Sequence, residues 1–505
     1  MEDEMVVQAH IDVLICGAGA AGLTLAIDLA RRGVSFRLID RLDQPFAGSR
    51  GKGIQPRTQE VFEDLGIIDR LFAAGGLYPP QREYRNDGSV VESQAIVVDT
   101  PTAEEPYRSA LMVPQVRTEA VMRDRLAELG HHPLYGRTLE RFNQDAAGVT
   151  ARLAGPDGPE SLRCRYLVGA DGGRSAVRQA LGIGFPGKTL GVRAIVADIV
   201  LDGLDRTVWH RFNEGDMARQ IGFCPLPRTD LFQLQAPIPL EEEADLSVEG
   251  LQRFIDGRID GRGLTVGSVV WASAYSMNAR LADLYRVDRV FLIGDAAHIH
   301  PPTGGQGLNT SVQDAYNLGW KLGAVLAGAP DALLDSYEEE RWPIAAGVLG
   351  LSTDLLERAK RGDMRRGREV HQLDLGYRAS SLSLQRPVRD AGLFAGDRMP
   401  DATLRGAGGR ALRLFDLLRG PHATLFAFGD VPEAIGSRPG LRVHAVGPNG
   451  DILDPGDEFR TGCAVSAGDL LLVRPDGYVG AIVASAEREA LSRHLARCGV
   501  AAGSG

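Results

Sequence analysis

The chain has 505 residues, too many for one hydrophobic core, and reads as two to four domains. Its 44% hydrophobic and 24% charged residues are ordinary for a soluble globular protein, and a net charge of −10 speaks against a nucleic-acid partner. The five cysteines, Cys16, Cys164, Cys224, Cys463 and Cys498, form no C-x-x-C pair, which argues against a disulfide framework, a zinc site or a dithiol centre.

The opening Met-Glu-Asp-Glu is acidic where a secretion signal is basic. The apolar run 11–30 is interrupted by Asp12, Asp28 and glycines, so no membrane span is expected and the cytoplasm is the expected compartment. Within that run Ile11–Cys16 reads as a buried strand and Leu23–Arg32 as a helix stopped by Gly33, with a second strand over Ser35–Ile39 ending on Asp40. Between strand and helix stands Gly17-Ala18-Gly19-Ala20-Ala21-Gly22, a G-x-G-x-x-G with an acid about twenty residues on, the context of a dinucleotide site. Gly17 makes the turn, Gly19 admits a pyrophosphate and Gly22 lets the helix pack on the strand. Asp40, followed by Arg41, is placed to accept from a ribose hydroxyl. This motif alone does not separate FAD from NAD.

A basic glycine loop, Ser49 to Thr58 and containing Arg50, leads into a helix over Gln59–Asp64. Residues 81–112 alternate weakly, as strands of a covering sheet do. Gln115 and Arg117 precede a helix over Ala120–Leu129, with Thr118 as its expected N-cap. A strand over Arg163–Leu167 runs into an Asp-Gly turn, Asp171 and Gly172. Residues 185–285 read as mostly β, with strands over 193–201, 208–212, 218–223, 231–236 and 264–275 and one helix over 247–259. His210, Arg219, Gln220, Phe223, Gln233, Trp271 and Tyr275 are the side chains able to face a pocket there, although packing within the sheet or exposure is the more ordinary fate of each. A single sequence does not choose the face.

The densest signal is Val290–Gly323: a short strand, Gly294-Asp295, a loop with Pro302, Gly304, Gly305 and Gly307, then a helix from Leu308 with Val312, Ala315, Leu318, Leu322 and Val325 at helical spacing. Glycines without a Cβ and a helix start with unpaired N–H groups suit a ligand that needs several backbone donors. His298 and His300 have metal-like spacing but no third ligand nearby, and are read as structural. Helices are expected over 333–341 and 344–361, separated by Pro343. After a junction at 396–401 a new α/β pattern follows: strands 423–428, 470–473 and 478–483, a turn at Pro475-Asp476-Gly477 and a helix 487–498.

These three motifs in this order resemble the FAD-dependent aromatic hydroxylases, the p-hydroxybenzoate hydroxylase-like flavoprotein monooxygenases. The last hundred residues resemble the thioredoxin-like domain of the larger members that act on polyketides and phenols. The resemblance implies an α/β fold: a Rossmann-like FAD-binding domain (1–80, 108–178, 286–395), an inserted mostly-β substrate domain (81–107, 179–285) and a thioredoxin-like domain lacking C-x-x-C (396–505). It implies that Gly17, Gly19, Ala20, Ala21, Gly22, Asp40, Arg41, Gln115, Asp171, Gly172, Gly294 and Asp295 bind FAD. Arg50, Pro302, Gly304, Gly305, Gly307, Leu308 and Asn309 would lie along the flavin, and Arg50, Pro302 and the N–H groups at 307–309 would serve catalysis. It further implies NADPH or NADH as transient reductant, O2 as co-substrate, and oxygen transfer to a phenolic or polycyclic ring through a flavin C4a-hydroperoxide. Assembly into a homo-oligomer is an expectation for the C-terminal domain. Baeyer–Villiger oxygenation, a flavin-binding scaffold without hydroxylase activity and a nicotinamide dehydrogenase are the alternatives.

Overall fold

The computed structural model describes residues 9–500 except 86, 217, 242, 260–261, 362–364 and 432–434. Its first layer is built on β1 (Ala9–Cys16), α1 (Ala20–Arg31) and β2 (Phe36–Ile39). Helix α1 begins at Ala20, inside the glycine motif and three residues earlier than the apolar pattern indicates, because Gly19 takes the N-cap position in extended conformation. Two further helices, α2 (Pro56–Asp64) and α3 (Gln115–Glu128), flank the sheet. Helix α3 also starts early, so Thr118 is not its N-cap; that position falls to Pro114, and the buried Thr118 hydroxyl bonds back to the Pro114 carbonyl.

Strand β3 (Glu160–Gly169) runs parallel to β1, giving a parallel core in which Val13, Leu14, Ile15, Leu167 and Val168 are buried. A second sheet of eight strands follows. It is formed largely by β4 (Gly187–Asp202), β5 (Trp209–Phe212), β6 (Ile221–Pro225), β7 (Leu231–Ile238) and, beyond helix α4 (Val248–Asp256), β8 (Thr265–Leu281). Gln81–Tyr84 and Val90–Ser93 close its far edge. Ser247 caps α4 by accepting from the Gly250 N–H, and Leu251 and Ile255 of that helix pack on the outer face of the sheet.

The chain then returns to the first sheet through β9 (Val290–Leu292), parallel to β3, and enters α5 (Gly307–Leu326). His298–Ile299 joins the edge of the second sheet by pairing with β8, so the loop before α5 is tied to both sheets. Helix α6 (Asp335–Lys360) is continuous and contains Pro343, where the sequence suggests two helices. The pyrrolidine removes one backbone donor, but Arg341, Ala345 and Val348 are buried on either side and hold the helix in register.

A third sheet carries β10 (Ala423–Phe428), β11 (Leu441–Val446), β12 (Asp469–Val473) and β13 (Val479–Ala484), with helix α7 (Arg488–Arg497) after it. Parallel β10 and β11 followed by an antiparallel hairpin and a helix is the thioredoxin-like arrangement. The turn at Pro475–Gly477 docks this domain. Asp476 accepts from the Trp320 indole at 3.0 Å and pairs with Arg474, whose guanidinium also grips Glu340, itself bound to Lys321 at 2.7 Å. All five charged or polar partners are buried and mutually bonded, the condition under which a charge cluster survives burial.

Candidate active site

Two helix starts converge on the first sheet. At α1 no side chain caps the N-terminus, and Gly17 before it and Gly22 in its first turn are required by close contacts. Gly17 has φ +111°, and a Cβ there would collide with the Ala170 carbonyl; one at Gly22 would collide with the Gly17 carbonyl. Asp40 ends β2 and accepts from the Ala18 N–H at 2.8 Å and the Leu42 N–H at 2.9 Å, so its carboxylate sits at the mouth of the motif, with Arg41 exposed beside it. Glu119 of α3, which no sequence motif marks, is buried next to Gly19, and burial raises its carboxyl above the ordinary range. Gln115 bridges Glu119 and the loop by donating to its carboxylate at 2.9 Å and accepting from the Gly51 N–H at 3.1 Å. Arg117 is exposed and donates to the Arg228 carbonyl on the second sheet, away from this cluster. Asp171 turns one oxygen to the Ala176 and Val177 N–H groups, while its other oxygen, Oδ1, is buried without a partner among the described residues; Gly172 follows it with φ +78°.

The second helix start, that of α5, is likewise without a side-chain cap. Gly294 has φ +60°, where a Cβ would press on Ser311, and its N–H donates to Asp314. Asp314 is fully buried and also binds the His298 ring at 2.5 Å and the Arg341 guanidinium at 2.8 Å, which explains His298 as a support of the turn. Asp295 itself is solvent-accessible at this turn, yet enough protein surrounds it that burial holds its carboxyl above the ordinary range against the pull of His298 and Arg50. Gly304 and Gly305 both have positive φ, and the Gly305 N–H turns back to the Pro302 carbonyl. A Cβ at Gly307 would meet nothing in the protein, and its φ is not left-handed, so neither strain nor packing demands a glycine there. Asn309 is fully buried; its side chain accepts from the Gln55 N–H at 2.8 Å and donates to the Gly53 and Gly305 carbonyls. It therefore clamps the loop 51–55 onto α5, and only the backbone N–H groups at 307, 308 and 309 remain as donors.

Between this loop and the second sheet lies a cavity of about 220 Å3, lined on one side by Arg50, Pro302, Gly304 and Gly305. Strand alternation decides the other wall. Phe232, Leu234 and Ile238 of β7 and Phe212 of β5 face the outer core under α4, while Gln233, Gln235, Trp209 and Arg211 face the cavity. Of the seven side chains singled out from sequence, Gln220, Gln233 and Tyr275 line the cavity. Phe223 packs in the outer core, His210 is stacked on Tyr84 on that same face, Arg219 is exposed, and Trp271 packs edge-on against Phe46. Trp209, Arg211 and Gln235 carry no signal in the sequence, because face assignment needs the pairing register that only the folded sheet supplies, and Tyr78 and Lys52 reach the wall from loops outside it.

The wall is polar and internally bonded. The Lys52 ammonium donates to Gln233 Oε1 at 2.5 Å and sits 4.7 Å from the Trp209 ring centre. Gln235 donates to the same oxygen at 2.8 Å, and Gln233 donates to the Ser49 carbonyl at 2.5 Å. Asp198 lies behind, 1% exposed, and burial pushes its carboxyl up to about 6 although Ser49, Lys52 and Gln233 pull it down. Burial raises the Tyr275 phenol to about 12.

Residues 10–352 match the FAD binding domain family model and residues 393–499 the aromatic-ring hydroxylase C-terminal model. The chain belongs to the FAD-dependent aromatic-ring hydroxylases and is a flavin-dependent monooxygenase. It is similar to a flavin-dependent monooxygenase of Mycobacteroides abscessus, 42% identical over 94% of this chain and 97% of that one. It is also similar to the 12-dehydrotetracycline 5-monooxygenase/anhydrotetracycline 6-monooxygenase of Streptomyces rimosus, 35% identical over 93% and 94%. Among solved structures, aklavinone-11 hydroxylase in ternary complex with FAD and aklavinone superposes with a TM-score of 0.83 at 29% identity, covering 97% of this chain and 98% of that one. No helix among the described residues is long and apolar enough to cross a membrane.

Proposed function

We propose that this protein uses FAD and NAD(P)H to insert one atom of O2 into a phenolic or polycyclic aromatic compound of the polyketide type. The observation that carries this reading is the cavity with a polar sheet on one wall and, on the other, a glycine-proline loop that leads into an uncapped helix start. The donor set fits FAD: uncapped N–H groups at Ala20–Gly22 for the pyrophosphate, Asp40 for the ribose, Asp295 and the free oxygen of Asp171 for the linking chain, and the N–H groups at 307–309 for the ring carbonyl. The glycine at 307, which the protein does not need for itself, admits a flat ring against the helix start. When bound, FAD takes a hydride from NAD(P)H and activates O2. The chain's share is to keep the ring against Pro302–Gly305, to exclude water, and to hold the substrate ring between that loop and the sheet. In this reading residues 1–80, 108–178 and 286–395 hold the cofactor, 81–107 and 179–285 hold the substrate, and 396–505 is structural. The relatives' names, which include tetracycline monooxygenases and an aklavinone hydroxylase, support the substrate class.

The test is nicotinamide oxidation by the purified flavoprotein, with NADPH and NADH compared, against polycyclic phenols and hydroxyquinones. Stimulated oxidation with a product heavier by one oxygen is expected, and fragmentation separates ring hydroxylation from lactone formation. Flavin-free protein that consumes neither nucleotide with the whole panel would overturn the reading.

A further inference from the structure

The chain has four lysines: Lys52 lies against the sheet wall of the cavity, Lys360 also lines the cavity, and Lys188 and Lys321 lie elsewhere. The Lys52 ammonium can donate three hydrogen bonds, and among the described residues it donates to a single acceptor, Gln233 Oε1. That oxygen is already shared with Gln235, whose amide lines the cavity beside it. Trp209 flanks the ammonium with a ring face and supplies no acceptor. Lys52 is 8% exposed, and that remaining surface opens on the cavity. A buried ammonium with unused donors favours an anionic oxygen beside it.

We propose that Lys52, oriented by Gln233 and flanked by Gln235, is the subsite that accepts the ionised oxygen of a phenol or enol on the substrate. The proposal rests on the reading of this cavity as the substrate site. Ionisation breaks the O–H bond, leaves the electron pair on oxygen and releases the proton to the buffer; the electron-richer ring is the better acceptor of an oxygen atom. The charged and titratable groups around the ammonium are Arg50 on its own loop, Asp198 on β4, Arg211 with its partner Glu214 at β5, Cys224 on β6, Tyr78, and Tyr275 on β8. Burial lowers the Lys52 ammonium from its ordinary value, a shift that an anionic ligand would reverse.

The experiment titrates alizarin (1,2-dihydroxyanthraquinone), whose colour reports its ionisation, bound to the FAD-loaded enzyme. The pKa of the bound dye is expected to fall by about one unit or more relative to free dye. Lys52→Met is expected to abolish that shift and to weaken dye binding at least about tenfold, while Lys52→Arg keeps most of both. The dimethoxy analogue, which cannot ionise, is expected to bind wild type and Lys52→Met equally. An unshifted dye in wild type overturns the proposal without any variant, as does an equal shift in wild type and Lys52→Met. A shifted dye in an enzyme that hydroxylates nothing would fail the monooxygenase reading and leave the subsite; turnover with an unshifted dye would do the reverse.

Discussion

The cofactor wall and the sheet wall of the same cavity are built on different principles. On the cofactor wall each segment carries its own short signature, a glycine run or a Gly-Asp pair in consecutive residues, even where the fold then sets Gly17 against Ala170 and Asn309 against Gln55. On the sheet wall, Lys52 meets Gln233 across 181 residues of chain and Trp209 from a third segment. A wall assembled from local motifs is written into consecutive residues, whereas one assembled by strand pairing is written only into the register. In the proposed reading the first specifies the chemistry and the second the substrate.

That contrast can be broken at several points. The largest effect is expected for Gly22→Ala, whose Cβ would strike backbone: about 3 kcal/mol or more of lost stability together with lost flavin, read by thermal unfolding and flavin content. For Asp295→Ala a charged acceptor is removed without disturbing the core, so FAD affinity should fall roughly tenfold to a hundredfold in an apoprotein of unchanged melting temperature, measured by flavin titration. On the opposite wall, Asp198 has a folded-state value above that of an exposed carboxyl. It favours folding at low pH and opposes it increasingly as pH rises from about 4 to about 6. Asp198→Asn should therefore raise stability by roughly 2 kcal/mol at about pH 8 and change little near pH 4, as followed by denaturant unfolding. The smallest effect on folding is expected for Gly307→Ala, within about 0.5 kcal/mol of wild type, yet flavin affinity should drop if the methyl group enters the open space where the proposed reading puts the ring. Equal flavin affinity in that variant would show that the two walls are not specialised as described.

Much of the backbone of the cofactor wall is legible in the sequence. Strand β1, the turn at Gly17 and the run from Val290 into α5 stand close to where periodicity and glycine chemistry put them. The misses have particular causes. Helix α1 starts earlier than apolar spacing indicates because Gly19 takes the cap position, and α3 starts earlier because Pro114, not Thr118, takes it. Pro343 does not break α6, because Arg341, Ala345 and Val348 are buried on either side of it, and burial is not legible from the proline alone. Asp314 and Lys321 look like surface residues of an amphipathic helix, but α5 is covered on nearly every side, and their partners Arg341 and Glu340 lie on α6. Glu119 and the cavity side chains Trp209, Arg211 and Gln235 carry no motif, since their roles depend on which way a strand or helix faces.

The most direct measurement is turnover of a polycyclic phenol by the flavin-loaded enzyme under isotopically heavy O2, with the nicotinamide consumed and the product mass followed together. One heavy oxygen atom in the product for each nucleotide oxidised is the predicted result. Nucleotide oxidation that yields an oxygenated product without heavy oxygen, or an altered product formed in the absence of O2, would contradict the account.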